Sequence, residues 1–281
     1  MKIALSSASQ PSLSPAELVA HAVAAGYGGI EWRVADTGQA DGARGWHYQT
    51  NNRCTIAPTA AAMREARRLC EAAGLSIIGL SPYVTVGDLD YGQRMIGLAV
   101  EAGTDRVRLW APRSDEGRYA ELFERMRCFL DALLPTARSH GVQLAVEQHQ
   151  HTICPSISLA MRLAEHYDPA QVRVIYDIGN LAVEGFEAPQ ISLDLLGRHL
   201  AHVQLKNAAM APCGQGQGWN WAWCPLESGV LPLARIVGLL ARRGFDDWLS
   251  VEDFSTQRGD AQKLSHNRAL VERWFSQACT D

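Results

Sequence analysis

One pattern of hydrophobic and polar positions repeats along the chain: a short apolar run, then a longer segment with apolar residues at helical spacing. This pattern predicts β-strands that alternate with α-helices. Several runs are almost wholly apolar, as in Val142-Gln143-Leu144-Ala145-Val146, which is typical of strands covered on both faces. The predicted strands are residues 3–7, 29–33, 76–81, 106–111, 143–148, 173–178, 201–206 and 248–253. The principal predicted helices are residues 59–73, 88–102, 116–140, 155–167, 231–243 and 260–279.

Capping residues predict where helices begin and end. Ser14, Pro15 and Glu17 have the spacing of a capping box at the start of a first helix. Glycine tolerates the left-handed conformation that commonly follows a helix, so a glycine just before a predicted strand indicates a helix end. The glycines in this position are Gly26, Gly74, Gly103, Gly141 and Gly244.

Eight strands alternating with helices over 281 residues predict a (β/α)8 TIM barrel, a single α/β domain covering residues 1–281. A doubly wound open sheet is the alternative. The first predicted strand is not followed by the Gly-x-Gly-x-x-Gly sequence of dinucleotide-binding sheets, which weakens that alternative.

Polar side chains stand at the predicted ends of several strands. Strands five, six and eight each place an acidic residue after a mainly apolar run: Glu147, Asp177 and Glu252. Strand seven carries Gln204, and strand two carries Glu31. Because the carboxyl ends of barrel strands share one rim, we expect these side chains to converge at the mouth of the barrel.

A carboxylate that follows apolar strand residues costs free energy unless it is paired or binds a cation. A structural ion pair explains any one of them equally well. Three on one rim would repel each other unless a positive charge lay between them. With Gln204 as a neutral oxygen donor, the three acids predict a cage for one divalent ion such as Mn²⁺, Mg²⁺ or Co²⁺. The alternative is a structural ion-pair network.

These motifs, in this order, resemble the xylose isomerase-like TIM-barrel superfamily, which includes sugar phosphate isomerases and epimerases, inosose dehydratase and endonuclease IV. The resemblance covers the whole chain. It is carried by Gly26-Tyr27-Gly28-Gly29-Ile30-Glu31, Val146-Glu147, Tyr176-Asp177-Ile178-Gly179-Asn180, His202-Val203-Gln204-Leu205-Lys206 and Val251-Glu252.

The resemblance implies that Glu147, Asp177, Gln204 and Glu252 are the metal ligands. Many members have His at the position of Gln204, whereas members similar to hydroxypyruvate isomerase have Gln. A set without nitrogen favours Mn²⁺ or Mg²⁺ over Zn²⁺, while Co²⁺ and Zn²⁺ stay open. Asn180 stands where sugar epimerases often have a substrate-binding His, and we expect it to contact substrate.

Such a site suits isomerisation or epimerisation of a sugar or sugar phosphate through an enediolate. Glu147 and Glu252 would carry the proton between two positions of the substrate. Elimination, as in inosose dehydratase, is the closest alternative. A barrel that binds a ligand without turnover is a further alternative, and an endonuclease is disfavoured because its zinc cage would be rich in histidine.

Further residues near the expected mouth are candidates for substrate binding. Glu31 and His149 are expected to contact substrate, and Lys206 would protonate a leaving hydroxyl or form an ion pair. Trp219 and Trp221 lie on a Gly-rich segment that predicts a mobile lid stacking on sugar faces, with packing against neighbours as the alternative.

An anion could bind the segment 33–57. This segment contains Arg33, Arg44 and Arg53, which would suit a substrate phosphate. A solvated loop explains these residues equally well.

Composition narrows the partners to a small molecule. The formal net charge is −4 and there is no basic block, which argues against nucleic acid. The longest uncharged stretch, residues 207–226, is rich in Gly, Gln and Asn, which predicts a loop and no membrane span. Seven cysteines without a CxxC pair and the absence of a cleavable signal pattern predict reduced thiols in the cytoplasm. The sequence leaves open whether the protein forms a homo-oligomer.

Overall fold

The computed structural model describes residues 1–36, 52–214, 216 and 218–278. In this part of the chain, eight parallel strands close into a barrel, which confirms the predicted TIM barrel. The barrel strands are β1 (Lys2–Ser6), β2 (Gly29–Arg33), β3 (Ser76–Ser81), β4 (Arg106–Leu109), β5 (Gln143–Glu147), β6 (Val172–Asp177), β7 (Leu200–Leu205) and β10 (Trp248–Val251). Around the barrel the strand order is β1, β10, β7, β6, β5, β4, β3, β2.

The α-helices follow the strands along the chain, as the fold requires. Those described are α1 (Pro15–Ala25), α2 (Ala60–Ala72), α3 (Leu89–Ala102), α4 (Tyr119–His140), α5 (Ile157–Ala164), α6 (Pro189–Leu196), α7 (Leu233–Arg242) and α8 (Asp260–Ala278). Helix α6 was not among the segments predicted from the sequence. None of the helices in the described ranges combines the length and apolar character needed to cross a bilayer.

The predicted caps are confirmed. Ser14 Oγ accepts a hydrogen bond from the Glu17 backbone N–H, and the Glu17 carboxylate accepts one from the Ser14 backbone N–H at 2.7 Å. The five predicted glycines all have positive φ, from 65° at Gly141 to 83° at Gly26. The observed strand and helix ends lie within three residues of the predicted ends, and residue 279, the predicted end of the last helix, lies outside the described residues.

The prediction of a loop over residues 207–226 is wrong for most of that segment. Strands β8 (Asn207–Pro212) and β9 (Trp219–Cys224) form an antiparallel hairpin, in which Ala208 pairs with Trp223 and Met210 with Trp221. Tryptophans at alternate positions of β9 favour a strand because their side chains point to the same face of the hairpin. The uncharged composition hid this period of two.

Strand alternation separates the barrel lumen from the layer under the helices. Leu144 and Val146 of β5 belong to the main apolar core. Their neighbour Ala145 belongs to a separate small cluster with Ile175 and Ala201. Glu147, two residues after Ala145, therefore points to the same side as Ala145, away from the main core.

Candidate active site

The predicted site residues meet at the carboxyl end of the barrel. Glu147 ends β5, Asp177 ends β6, Gln204 lies in β7 and Glu252 directly follows β10. Strand register pairs Asp177 with Gln204 across β6 and β7. Each of these four residues is at most 5% exposed, and burial of such polar groups costs free energy unless polar contacts offset it.

Lys206, the residue after β7, lies between two of the acids. Its Nζ is 2.5 Å from Asp177 Oδ2 and 2.9 Å from Glu252 Oε2. The other oxygen of Glu252 accepts a hydrogen bond from Ser6 Oγ at 3.1 Å. One ammonium thus serves two buried carboxylates, which is the ion pair that the sequence left as an alternative for Lys206.

Glu147 has a separate cation. Arg108, in β4, donates from Nη1 to Glu147 Oε2 at 3.0 Å. Its Nη2 donates to the Pro82 carbonyl at 3.0 Å, and its Nε donates to the same carbonyl at 3.3 Å. The guanidinium is therefore fixed between the end of β3 and Glu147, and it fixes the carboxylate in turn.

Glu31 lies beside Gln204 and fixes the orientation of its amide. Gln204 Nε2 donates to both carboxylate oxygens of Glu31, at 3.0 and 3.1 Å. Ser81 Oγ and Ser250 Oγ also donate to Glu31. With its nitrogen held by Glu31, Gln204 keeps its Oε1 buried and without a hydrogen-bond partner among the described residues.

Asn180 and His149 border Glu147. Asn180 Nδ2 donates to the Gln148 carbonyl at 3.0 Å and lies 3.5 Å from Glu147 Oε1. The His149 ring stacks obliquely on Trp110, with ring centroids 4.7 Å apart. Burial lowers the pKa of His149 to about 4, so the imidazole is neutral at pH 7.

The charges of the site are unevenly shared. Burial would raise the pKa of Glu147, but Arg108 acts together with Lys206 and His149 to hold this pKa below its usual range. Burial raises the pKa of Asp177 and of Glu252, despite the contact of each with Lys206, and neighbouring carboxylates add to the effect. Burial would lower the pKa of Lys206, yet the same carboxylates raise it, so the ammonium stays charged.

The aromatic rings beside the Lys206 ammonium are those of Trp223 and Phe254, and neither is one of the two tryptophans predicted to bind substrate. Trp223 lies with its ring centroid 4.9 Å from Lys206 Nζ, and Phe254 lies 5.6 Å from it. Trp221 packs edge-on against Trp223 at 4.8 Å. Trp219, in contrast, is 68% exposed at the far end of the hairpin.

Part of the predicted anion-binding segment lies outside the described residues, including Arg44. Arg33 donates to the Tyr83 hydroxyl at 2.9 Å and to Thr55 at 3.0 Å. Arg53 donates to the Ser12 carbonyl at 2.7 Å.

Comparison with known proteins places this geometry in a family. The model of the xylose isomerase-like TIM barrel family matches residues 19–273. The chain belongs to this family. No curated protein matches the chain at a significant level.

Several solved structures share the barrel fold at low sequence identity. The IOLI protein with a bound zinc atom has a TM-score of 0.72, with 15% identity over 99% of each chain. The 3-keto-D-glucoside 4-epimerase YcjR from E. coli has a TM-score of 0.71, with 15% identity over 97% of this chain and 99% of that chain. The probable 3-DHS dehydratase AsbF from Bacillus anthracis has a TM-score of 0.69, with 19% identity over the same shares. Identities this low establish a common fold.

The donor chemistry of the family site fits a divalent cation in this chain. All four predicted ligands offer oxygen, and Asp177 and Glu252 share the Lys206 ammonium. Gln204 Oε1 is buried and has no hydrogen-bond partner within the described ranges. Among the described residues, no three His, Cys, Asp or Glu side chains already meet at ligand positions. Arg108 is paired with Glu147, and Lys206 is paired with Asp177 and Glu252.

Sequence reasoning missed several residues that shape the site. Arg108 alternates with buried apolar residues in β4, and this was the available signal for an inward-pointing cation. Phe254 and Ser6 carry no comparable signal, because their contacts depend on how the strands close. Gly179 is glycine for a reason that only the structure shows: a Cβ there would lie 1.9 Å from Lys206 Cγ.

Proposed function

We propose that this protein is a divalent-metal-dependent isomerase or epimerase of a small sugar or sugar phosphate, which moves a proton at a carbon next to a carbonyl. The observation that carries the proposal is the group of buried oxygen donors at the ends of β5, β6, β7 and β10. The fold shared with a zinc-binding protein and with a 3-keto-D-glucoside epimerase supports it.

Glu147, Asp177, Gln204 and Glu252 would hold the ion. When bound, a divalent cation polarises a substrate carbonyl and stabilises the negative charge left by removal of a neighbouring proton. Glu31 contributes by holding the Gln204 amide nitrogen, which leaves Oε1 without a hydrogen-bond partner in the part of the chain that the structure describes.

Glu147 and Glu252 are the proposed proton carriers. They come from β5 and β10, which are three positions apart around the barrel, so they approach a bound substrate from different directions. Arg108 fixes Glu147, while Ser6 fixes Glu252. One glutamate removes a proton and the other returns one, and each such role is worth about 10²- to 10⁴-fold in rate.

Isotope exchange tests the proton transfer. With Mn²⁺ present, a panel of ketoses and aldoses in deuterated water should yield a substrate that exchanges hydrogen with solvent. Glu147→Gln and Glu252→Gln should each lose about 100-fold or more in kcat, with exchange abolished in at least one. Glu101→Gln, at an exposed ion pair with Arg64, is the matched control. Near-normal rates in both site variants would refute the two-carboxylate mechanism.

Metal analysis tests the cation itself. Protein purified without chelator should carry about one divalent ion per chain, and Asp177→Ala should carry far less, because a buried oxygen donor is lost. Equal metal content in the two proteins would refute the assignment of Asp177 as a ligand.

The hairpin formed by β8 and β9 is the proposed lid over the substrate. Trp223→Ala should raise KM at least several-fold, because this ring lies beside the Lys206 ammonium, and Trp221→Ala should have a smaller effect through its contact with Trp223. The KM of Trp219→Ala is the comparison for the other two variants, because the Trp219 ring is largely exposed. Unaltered kinetics in all three variants would assign the rings to packing alone.

Elimination of water is a second candidate, favoured by one contact. Lys206 Nζ lies 2.9 Å from Glu252, so an acid and a base stand side by side at the site. Glu252 would remove a proton while Lys206 protonates the departing hydroxyl. The fold similarity to the probable dehydratase AsbF supports this candidate. Product analysis separates the two, because elimination yields an unsaturated product that has lost one water.

We also infer a reducing, cytoplasm-like compartment. The six cysteines in the described ranges are free thiols, as the sequence predicted.

A further inference from the structure

The Lys206 side chain lies in a buried site formed by Asp177, Glu252, Gly179, Trp223 and Phe254, which we call its seat. The side chain is 4% exposed, and its Nζ lies within 3 Å of one oxygen each from Asp177 and Glu252. A long, flexible lysine loses side-chain entropy when it is fixed in this way, so the surrounding contacts have to favour this one position.

Two observations besides the ion pairs define the seat. The aliphatic stem runs over Gly179, where a Cβ would lie 1.9 Å from Cγ and 2.9 Å from Cδ. The ammonium lies over the rings of Trp223 and Phe254, at 4.9 and 5.6 Å from their centroids. These surroundings are complementary to a lysine. The carboxylates and the aromatic faces attract the ammonium, and the absence of a side chain at Gly179 leaves room for the aliphatic stem.

The seat overlaps the proposed metal site. Asp177 and Glu252 are two of the four expected ligands, and both now direct an oxygen at Nζ. A divalent ion that took both oxygens would stand beside the ammonium in a buried site, where two cations repel each other strongly. The ion and the seated ammonium therefore compete for the same carboxylates.

We propose that Lys206 is the internal counter-cation of the carboxylate cage, and that seating its ammonium between Asp177 and Glu252 excludes a divalent ion from these two ligands. This inference rests on the proposed function for the identity of the site. Metal loading is then an exchange of cations, in which Lys206 leaves its seat. The ion-free protein is stable with its carboxylates paired, and its affinity for the ion is lower than that of the same cage without Lys206.

The lysine content of the chain makes this exchange directly observable. The sequence contains only Lys2, Lys206 and Lys263. Protein labelled with ¹³C at the lysine ε-carbon should therefore give three signals, which Lys206→Met and Lys2→Met assign. When Mg²⁺ is added at fixed pH, the Lys206 signal should shift in proportion to the bound ion, while the signals of Lys2 and Lys263 stay in place.

Calorimetric titration provides the second readout. Lys206→Met keeps a side chain of similar length and removes the charge. This variant should bind Mg²⁺ and Mn²⁺ at least about tenfold more tightly than the unmodified protein. Its ion-free form should melt at a lower temperature and recover when the ion binds. Lys2→Met, which removes a lysine at the opposite end of β1, should leave affinity unchanged.

Gly179→Ala tests the same exchange with all ligands and Lys206 in place. The added methyl group should displace the stem, move the Lys206 signal without any ion and increase affinity for Mn²⁺. Two results would overturn the inference and leave the proposed function standing. One is a Lys206 signal that does not shift although titration shows that Mg²⁺ is bound. The other is equal ion affinity of Lys206→Met and the unmodified protein. If no variant and no form of the protein binds either ion, the metal dependence of the proposed function fails, and the exchange fails with it.

Discussion

Replacing Arg108 by methionine tests how the barrel tolerates a buried carboxylate at its mouth. Arg108 and Glu147 are 8% and 2% exposed, and their closest atoms are 3.0 Å apart. Arg108→Met keeps much of the aliphatic volume and removes the only cation that Glu147 contacts within salt-bridge distance among the described residues. The variant therefore leaves a buried charge without its partner.

The expected loss of stability follows from that burial. Breaking a buried ion pair by removing one partner costs about 3–5 kcal/mol. The entropy of unfolding is about 2.1 cal/mol/K per residue, which gives about 0.6 kcal/mol/K for a chain of this length. The melting temperature should therefore fall by about 5–8 °C.

Thermal unfolding followed by circular dichroism measures this shift, and Arg64→Met is its matched control. Arg64 forms an ion pair with Glu101 at 2.9 Å, but the two side chains are 60% and 42% exposed. Exposed pairs contribute about 0–1 kcal/mol, so the control should shift the melting temperature by less than about 2 °C.

A double variant identifies the cause of the loss. If the unpaired charge of Glu147 destabilises Arg108→Met, then adding Glu147→Gln should recover part of the melting temperature. A shift no larger than that of Arg64→Met, or no recovery in the double variant, would refute the explanation based on a buried charge.

Two further predictions concern orientation and backbone. Glu31→Gln should weaken Mn²⁺ binding about tenfold, as measured by calorimetric titration. The variant loses the charged acceptor that orients the Gln204 amide, and hydrogen bonds to charged groups contribute about 1.5–3 kcal/mol. Equal affinity of the two proteins for Mn²⁺ would contradict this role of Glu31. Gly141→Ala should lower the free energy of unfolding by about 1–2 kcal/mol, because its φ is 65°, whereas Gly97→Ala inside α3 should raise it by about 0.5–1 kcal/mol, since nothing lies within 4 Å of the new Cβ. Chemical denaturation measures both, and shifts of the same sign would contradict the backbone argument.

The rim of the site could be predicted because its signal is local in sequence. An acid after a run of buried strand residues, as at Glu147 and Asp177, stands out without knowledge of the partners. The barrel itself converts these separate strand ends into one site, because parallel strands bring their carboxyl ends together. Strand alternation and the number of elements were enough for that step.

The pairing within the site could not be predicted, because it depends on contacts between distant strands. Lys206 reaches Glu252 only because β7 and β10 are adjacent, although 46 residues separate the two in sequence. The hairpin was missed for a different reason. Gly, Gln and Asn around the tryptophans indicate a loop, while the pairing of β8 with β9 stabilises strands that the composition disfavours.

The four buried acids of the site divide into two kinds. Burial acts against the charge of all four, but Glu31 and Glu147 have donors of their own, and their pKa values are lowered. Asp177 and Glu252 share one ammonium, and their pKa values are raised. An additional cation therefore gains most where the sharing occurs, between β6 and β10, and least beside Arg108. We therefore expect an ion at the proposed site to displace Lys206 rather than Arg108.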